Sequence, residues 1–471
     1  MSAASLDMTV APPRLHVAHN ARTRRLLEDA IVPTLLRMAW PNVLVMVAQA
    51  ATGLIETYFV AKLGTDALAG MALVFPCLML MQMISAGAMG GGISSAIARA
   101  LGAGRHEEAD ALVLHAVLIN VTLGLFFSII MLAFGEPIYR ALGGRGGELK
   151  AALTYSNVVF AGNVLVWLMN GLANVIRGTG NMLTPALVIV VGVLFLIPLS
   201  PCLIFGIGPF PALGIAGGGV AVVLFNAAGA AVLGWYILSG RNLAKLHSGR
   251  LRWPLFRTIL NVGAVASITS VQTNVIIALA TALVASTAGA AAVAGYGTGA
   301  RLEYLLVPLV FGLGAPLVAL VGTNIGAGNR ERALRIAFVG GALAFALTET
   351  IGIATALWPR AWLGLFSTDA RVIESGALYL RAVGPFYGFF GLGLALYFAS
   401  QGAGRLFWPL AAGFLRMAVG IGGGWLALRL TGSLSWLFAA LALGLVLHGT
   451  TVLAAVMSGA WFRKTGTRKR L

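Results

Sequence analysis

Apolar stretches of about 20 residues recur from Leu35 to Phe462, and each is long enough to cross roughly 30 Å of hydrocarbon as a helix. Few folds accommodate such a chain. In lipid every backbone N–H and C=O must be satisfied inside the protein, so repeated spans of this length become a helical bundle. The runs predict helices at 37–61, 66–98, 109–134, 149–175, 182–206 and 213–239, then at 258–284, 290–323, 333–358, 374–400, 407–429 and 434–462. Only 10% of the residues are charged, against about 25% in a soluble domain, which excludes a soluble fold. The 61 glycines fit the same picture, because small residues let membrane helices approach closely.

The net charge of +17 is a footprint shared with nucleic-acid binders, but its placement excludes that class. Lys and Arg cluster beside spans, at 14–37, 241–257, 330–335 and 463–470. With twelve spans both termini share a side, which holds 22 of the 32 basic residues against 7 on the other and 3 within helices. The positive-inside rule then makes both termini cytoplasmic in a multi-pass inner (plasma) membrane protein. The first thirty residues lack the apolar core of a cleavable signal peptide. Cys77 and Cys202 are far apart in apolar runs, so neither a disulfide nor a structural metal is expected.

Two pairs of segments repeat at one offset. LGAGRHEEA at 101–109 matches IGAGNRERA at 325–333, and RGTGNMLTP at 177–185 matches QGAGRLFWP at 401–409, both 224 residues apart. One offset across 80 residues of chain means that a six-helix unit was duplicated. Six is even, so the copies enter from the same face and are related by an axis along the membrane normal. The fold class is therefore an all-α membrane protein, with twelve transmembrane helices in two pseudo-symmetric six-helix lobes around a cavity. The expected organisation is a basic tail at 1–34, an N-lobe at 35–239, a linker at 240–257, a C-lobe at 258–462 and a basic tail at 463–471. The linker, SGRNLAKLHSGRLRWPLF at 239–256, reads as a solvated connector or an amphipathic surface segment. No G-x-x-x-x-G-K-[ST] loop is present, so an ion or substrate gradient, with no cofactor, must drive any transport.

The repeated G-A-G-x-x-x-x-A, the R-G-x-G-N-x-x-T-P after the fourth helix and LIFGIGPFPALGIAGGGVA at 203–221 resemble the multidrug and toxic compound extrusion (MATE) family over about residues 33–460. The resemblance implies a V-shaped exporter that exchanges cytoplasmic organic compounds, often cations, for protons or sodium. Apart from the family, small residues at these turns and Arg105, Arg177, Arg330 and Arg405 beside them suit tight turns anchored at anionic headgroups.

Carboxylates inside hydrocarbon are costly and usually face a cavity; Glu56, Glu303 and Glu349 qualify. Glu56 shares a helix face with Asn42, Gln49 and Thr52, a stripe expected to line the N-lobe interior. It stands where relatives carry an Asp followed by T-x-x-x-A, which makes it the candidate coupling carboxylate, with a structural hydrogen-bonding role as the alternative. Pro41 matches the family's proline in the same helix and predicts a bend, either static or moving with coupling. Relatives complete this site with Asn and Asp on the fifth helix, where this chain has Leu196 and Ser200. A sodium ion needs several oxygen ligands and a proton one carboxylate, so the loss favours proton coupling. Thr52 and Ser200 remain possible oxygen donors, and Na+ near Glu56 stays open.

By the same resemblance, the family's C-lobe carboxylate positions fall at Asn274 and Phe390. Glu303 becomes the substitute, as a substrate or second ion site or else as one half of an interhelix pair; Arg301, two residues away on the helix, points elsewhere. Glu349 is a third member of this group, or pairs with Arg416 or Arg381. Asn163, Asn170 and Asn174 share one face of the fourth helix, as packing groups or as cavity lining with Gln49. Tyr58, Tyr296, Tyr387 and Tyr397 are available to stack on planar cations.

The leading reading is thus a cation-coupled antiporter, proton favoured over sodium, that exports small cationic or amphipathic compounds by alternating access. It works as a monomer with the bilayer and small molecules as partners. A lipid-linked oligosaccharide flippase of related architecture is the alternative, disfavoured because phosphate demands cavity-facing cations and the basic residues lie at turns. A membrane enzyme is a third class, without any motif to carry it: His115 and His448 stand alone in apolar spans and read as packing residues.

Overall fold

The computed structural model describes residues 20–287 and 289–462; the tail expected at 463–471 and the first nineteen residues of the one at 1–34 lie outside the described residues. A short helix α1 (Ala21–Glu28) precedes the first six-span lobe: α2 (Ile31–Ala61), α3 (Thr65–Gly102), α4 (His106–Ala141), α5 (Gly146–Ala161) with α6 (Asn163–Gly178), α7 (Leu183–Phe205) and α8 (Ile215–Leu238). The second lobe has α9 (Trp253–Thr287), α10 (Ala290–Gly326), α11 (Arg330–Leu357), the short α12 (Pro359–Leu363), α13 (Ala370–Ala403), α14 (Phe407–Thr431) and α15 (Leu434–Met457). Eleven helices of the described residues are long and apolar enough to cross a membrane, and the α5–α6 pair, bent by 51°, makes the twelfth span. The bend falls at Gly162, which packs so closely on Val223 that a methyl there would stand 2.5 Å from its side chain.

Several boundaries differ from the sequence expectation. The first span starts at Ile31 and α9 at Trp253, inside segments read as tail and linker, because the residues flanking the apolar runs also wind into helix. The last ends at Met457, with 458–462 a turn. The linker is strapped to the N-lobe instead of solvated. Lys245 N–H donates to Asp110 Oδ1 at 2.7 Å, Arg252 N–H to His115 Nε2 at 2.9 Å, and Asn242 Oδ1 accepts from the Thr179 hydroxyl at 3.3 Å. Since Nε2 of His115 accepts, its Nδ1 donates to Ala111 O at 2.7 Å. Nor is the end of the N-terminal tail free. An eight-residue helix has little stability alone, and α1 is held by burying Thr23, Leu26 and Leu27. Leu26 lies against Gly180 of the N-lobe, while Asn324 of the C-lobe donates to its carbonyl at 3.1 Å and Arg332 donates to Asp29 O.

The lobes meet through the half of the bundle nearer the termini. Gly102 and Gly326, the first glycines of the two repeated G-A-G motifs, make the closest approaches: a Cβ on Gly102 would stand 2.0 Å from Thr323 O, and one on Gly326 2.1 Å from Arg99 O. Arg99 and Thr323 are themselves 224 residues apart, so the seam obeys the duplication's own two-fold relation. The guanidinium of Arg99 donates to Gly402 O at 2.9 Å and Gln401 Nε2 to Gly87 O at 3.2 Å. Gly87 lies in a π-helical turn formed by residues 83–89 of α3. Arg105, Arg330 and Arg405 are exposed at this end, but Arg177 is largely buried with its Nε unpartnered, so it is not a headgroup anchor. Asn274 approaches Met83 across the same seam at 3.6 Å.

Candidate functional site

Glu56 projects from α2, five residues before its end at Ala61. The Oε1 atom is buried and makes no hydrogen bond, and Tyr155 of α5, itself buried, lies within electrostatic reach. The residues expected beside it divide. Thr52 is buried, but its hydroxyl donates to Ala48 O at 2.8 Å; Ser200, on the packed helix α7, has a buried hydroxyl without a partner. Asn42 is buried and bonded to Met38 O at 3.1 Å. Gln49 is exposed, so the stripe does not line a packed interior along its length. At Pro41 α2 continues as one helix, without the break a proline can produce.

Asn170, half-buried, and Asn174, buried, are both held by interhelix hydrogen bonds. Asn170 donates to Ser85 Oγ at 2.7 Å and Gln82 Oε1 at 3.2 Å, and Asn174 to Ala86 O at 3.2 Å and Asn170 O at 2.9 Å, which ties α6 to the π-helical turn of α3. Asn163 likewise bonds Gly124 O at 3.0 Å.

The C-lobe group does not assemble as one site. Glu303, on α10, accepts from the Tyr379 hydroxyl at 2.7 Å through Oε1 and faces Arg416 Nη2 at 3.7 Å through Oε2. Tyr387 donates in turn to Tyr379 at 3.2 Å. Both members of the ion pair are shielded, with 14% of the Arg416 and 18% of the Glu303 side chain exposed. The space they line, together with Tyr296 and Ala280, measures about 20 Å³, enough for a water molecule and far too small for an organic substrate. Arg416 therefore belongs to Glu303 and not to Glu349. Sequence reasoning left Glu303 without this partner, although a lone Arg in the middle of an apolar span demands a counter-ion and was the signal that could have found it.

Glu349 has a different environment: its Oε2 accepts the Gly388 N–H at 2.6 Å, where α13 is interrupted by a 3-10 turn at Gly384–Phe386 containing Pro385. Asn274 is exposed on α9, bonded to Ser270 O at 2.9 Å and turned toward Met83 of the other lobe. Arg301 lies over the Phe366 ring, 5.5 Å from its centroid. The tyrosines are not open stacking platforms. Tyr296, Tyr387 and Tyr397 are buried, and Tyr58 holds Lys62 at 4.6 Å near the end of α2.

Set beside known proteins, the chain matches the family model MatE twice, over residues 41–202 and 266–426, in nearly the register of the internal repeat. It is 30% identical over 382 residues to a FAD transporter of Shewanella oneidensis, covering 80% of this chain and 82% of that one. It is 27% identical to a probable multidrug resistance protein NorM of Thermotoga maritima, covering 81% and 82%. Among solved structures, a MOP-superfamily transporter from Pyrococcus furiosus, described by the reverse polarity of its binding pocket, superposes with a TM-score of 0.85 at 22% identity, over 95% of this chain and all of that one. An outward-facing multidrug resistance transporter gives the same values.

Proposed function

The chain belongs to the MATE family of secondary transporters, and from that premise we propose that it is a proton-coupled antiporter exporting small organic compounds across the plasma membrane by alternating access. As a member of that family it is a transporter and not an enzyme, and it needs no cofactor. Membership in this family favours an exporter of small compounds over the flippase alternative.

Glu56 carries the coupling in this reading, and the observation behind it is the buried, unpartnered Oε1. A carboxylate kept in hydrocarbon without a counter-ion is expensive and has a use. Proton is favoured over sodium because the Thr52 hydroxyl is committed to Ala48 and Leu196 supplies no oxygen. Exchange proceeds as protonation at Glu56 biases one of two lobe arrangements and substrate biases the other. The termini and the basic seam face the cytoplasm, as the charge distribution favours, and a monomer suffices because each chain contains both lobes. Gln49 and Asn274, exposed amides, are the contacts we assign to substrate.

A second reading of the cargo rests on the Shewanella relative: a flavin dinucleotide in place of organic cations. Everted vesicles from cells expressing the protein separate the two, with a fluorescent cation and FAD offered in turn under imposed proton or sodium gradients. Glu56→Gln is expected to abolish pH-driven uptake of whichever cargo moves, while the protein remains in the membrane at normal amount. Undiminished pH-driven uptake in that variant would sink the assignment.

A further inference from the structure

The 224-residue register aligns the interiors of the two lobes position by position. Tyr155, within electrostatic reach of Glu56, corresponds to Tyr379, which donates to Glu303. The counterpart of Glu56 is Ala280, and Ala280 lines the small space next to Glu303. Each lobe thus holds a carboxylate within reach of a tyrosine at corresponding chain positions, delivered by the first span in the N-lobe and by the second in the C-lobe. The difference lies in the third element. Arg416 corresponds to Gly192 of α7, where the ring of Phe225 fills the space: a methyl on Gly192 would stand 2.5 Å from it.

We propose that Arg416 is a built-in counter-cation that occupies the C-lobe site permanently and, with Glu349 held by the Gly388 N–H, leaves Glu56 as the exchanging carboxylate, so that one proton moves per transport cycle. The proposal rests on the reading of Glu56 as the coupling group. Both oxygens of Glu303 are engaged, one by Tyr379 and one by Arg416. Among the described residues, Tyr296 and Tyr387 are the further titratable groups packed on the cluster, and His448 lies within electrostatic reach of Arg416. Removing a proton-binding role from the C-lobe needs no loss of the carboxylate, only a fixed cation beside it. A guanidinium suits that task, since it keeps its charge and is more weakly hydrated than an ammonium. Arg416 is then a specificity-determining residue for coupling stoichiometry, acting through Glu303.

The test measures the substrate gradient sustained at zero net flux in proteoliposomes of the full chain, with the membrane potential clamped at zero and the substrate identified by the vesicle screen. One exchanged proton holds about a tenfold gradient per pH unit and two hold about a hundredfold, since each tenfold ratio is the same free energy as one pH unit. Wild type is expected at tenfold, Arg416→Met at hundredfold, and Arg416→Met with Glu303→Gln at tenfold again. A hundredfold gradient in wild type, or a tenfold one in folded Arg416→Met, overturns the proposal. Should Arg416→Met fail to fold, the double substitution Arg416→Met with Glu303→Met removes both charges, which buried pairs tolerate; it must keep the wild-type gradient, and a smaller one overturns the proposal. Glu56→Gln is run alongside: a gradient that survives there refutes the Glu56 reading itself, independently of how Arg416 behaves.

Discussion

The seam between the lobes and the interiors of the lobes have treated the same duplication in opposite ways. At the seam the relation is kept: Gly102 meets the carbonyl of Thr323, Gly326 meets that of Arg99, and the turns behind them use Gly104 and Gly328 at φ of +72° and +78°. Inside the lobes it is kept for Tyr155 and Tyr379 but lost for the carboxylates and for Arg416. The contrast has a physical origin. Two backbones that touch across a pseudo-two-fold constrain each other, and neither glycine can acquire a side chain without parting the lobes. Interior positions face only their own lobe and can diverge, provided that each buried charge finds a partner or a use.

That comparison is open to direct attack. The largest effect is expected from Gly102→Val and Gly326→Val, which drive a side chain into backbone across the seam. Each should cost several kcal/mol, at or beyond the usual range for overpacking of about 1–3 kcal/mol, with the two losses alike in a thermal unfolding assay in detergent. A tolerated substitution at either glycine would show that the seam is looser than its contacts indicate; strongly unequal losses would break the symmetry argument.

Leu26→Ala probes the same seam from outside the repeat. Helix α1 has no counterpart in the second half, yet it touches both lobes through Gly180 and Asn324. Truncating a buried leucine costs about 2–5 kcal/mol in a rigid core, and the low end applies to a short helix that can shift. Accelerated proteolysis near the Ala21–Glu28 segment, with the spans intact, is the expected readout. Unchanged digestion would mean that Leu26 contributes nothing to docking.

The fold was legible in the sequence because lipid leaves a long apolar run one solution, and the 224-residue offset gave the lobes their relation. The site was legible only where chemistry is local. Glu56 stands out because a carboxylate in an apolar span is rare. Its isolation depends on Thr52 turning to its own helix backbone, which spacing cannot reveal. Glu303 was visible as a residue but not as a pair, because Arg416 comes from a span more than a hundred positions away. Asn170 and Asn174 were ambiguous for the same reason: an amide on one helix face serves a cavity or a neighbouring helix equally well until that neighbour is placed. The buried condition of α1 had no signal in its basic composition.

The smallest and most discriminating prediction compares the paired tyrosines. Tyr379 donates to a carboxylate that also faces Arg416, and accepts from Tyr387, so Tyr379→Phe removes a hydrogen bond to a charged acceptor and leaves the Tyr387 hydroxyl to find a new one. Such bonds contribute about 1.5–3 kcal/mol. Tyr155 is buried within electrostatic reach of Glu56, and Tyr155→Phe should cost less than about 1 kcal/mol while altering the pH dependence of transport. If the C-lobe is a closed, charge-compensated cluster and the N-lobe an exchanging one, the two substitutions must separate in this way: Tyr379→Phe lowers thermal stability with the pH profile preserved, and Tyr155→Phe moves the pH profile with stability preserved. The reverse assignment, or equal effects on both measurements, would mean that the lobes share one chemistry and that the arginine opposite Gly192 makes no functional difference.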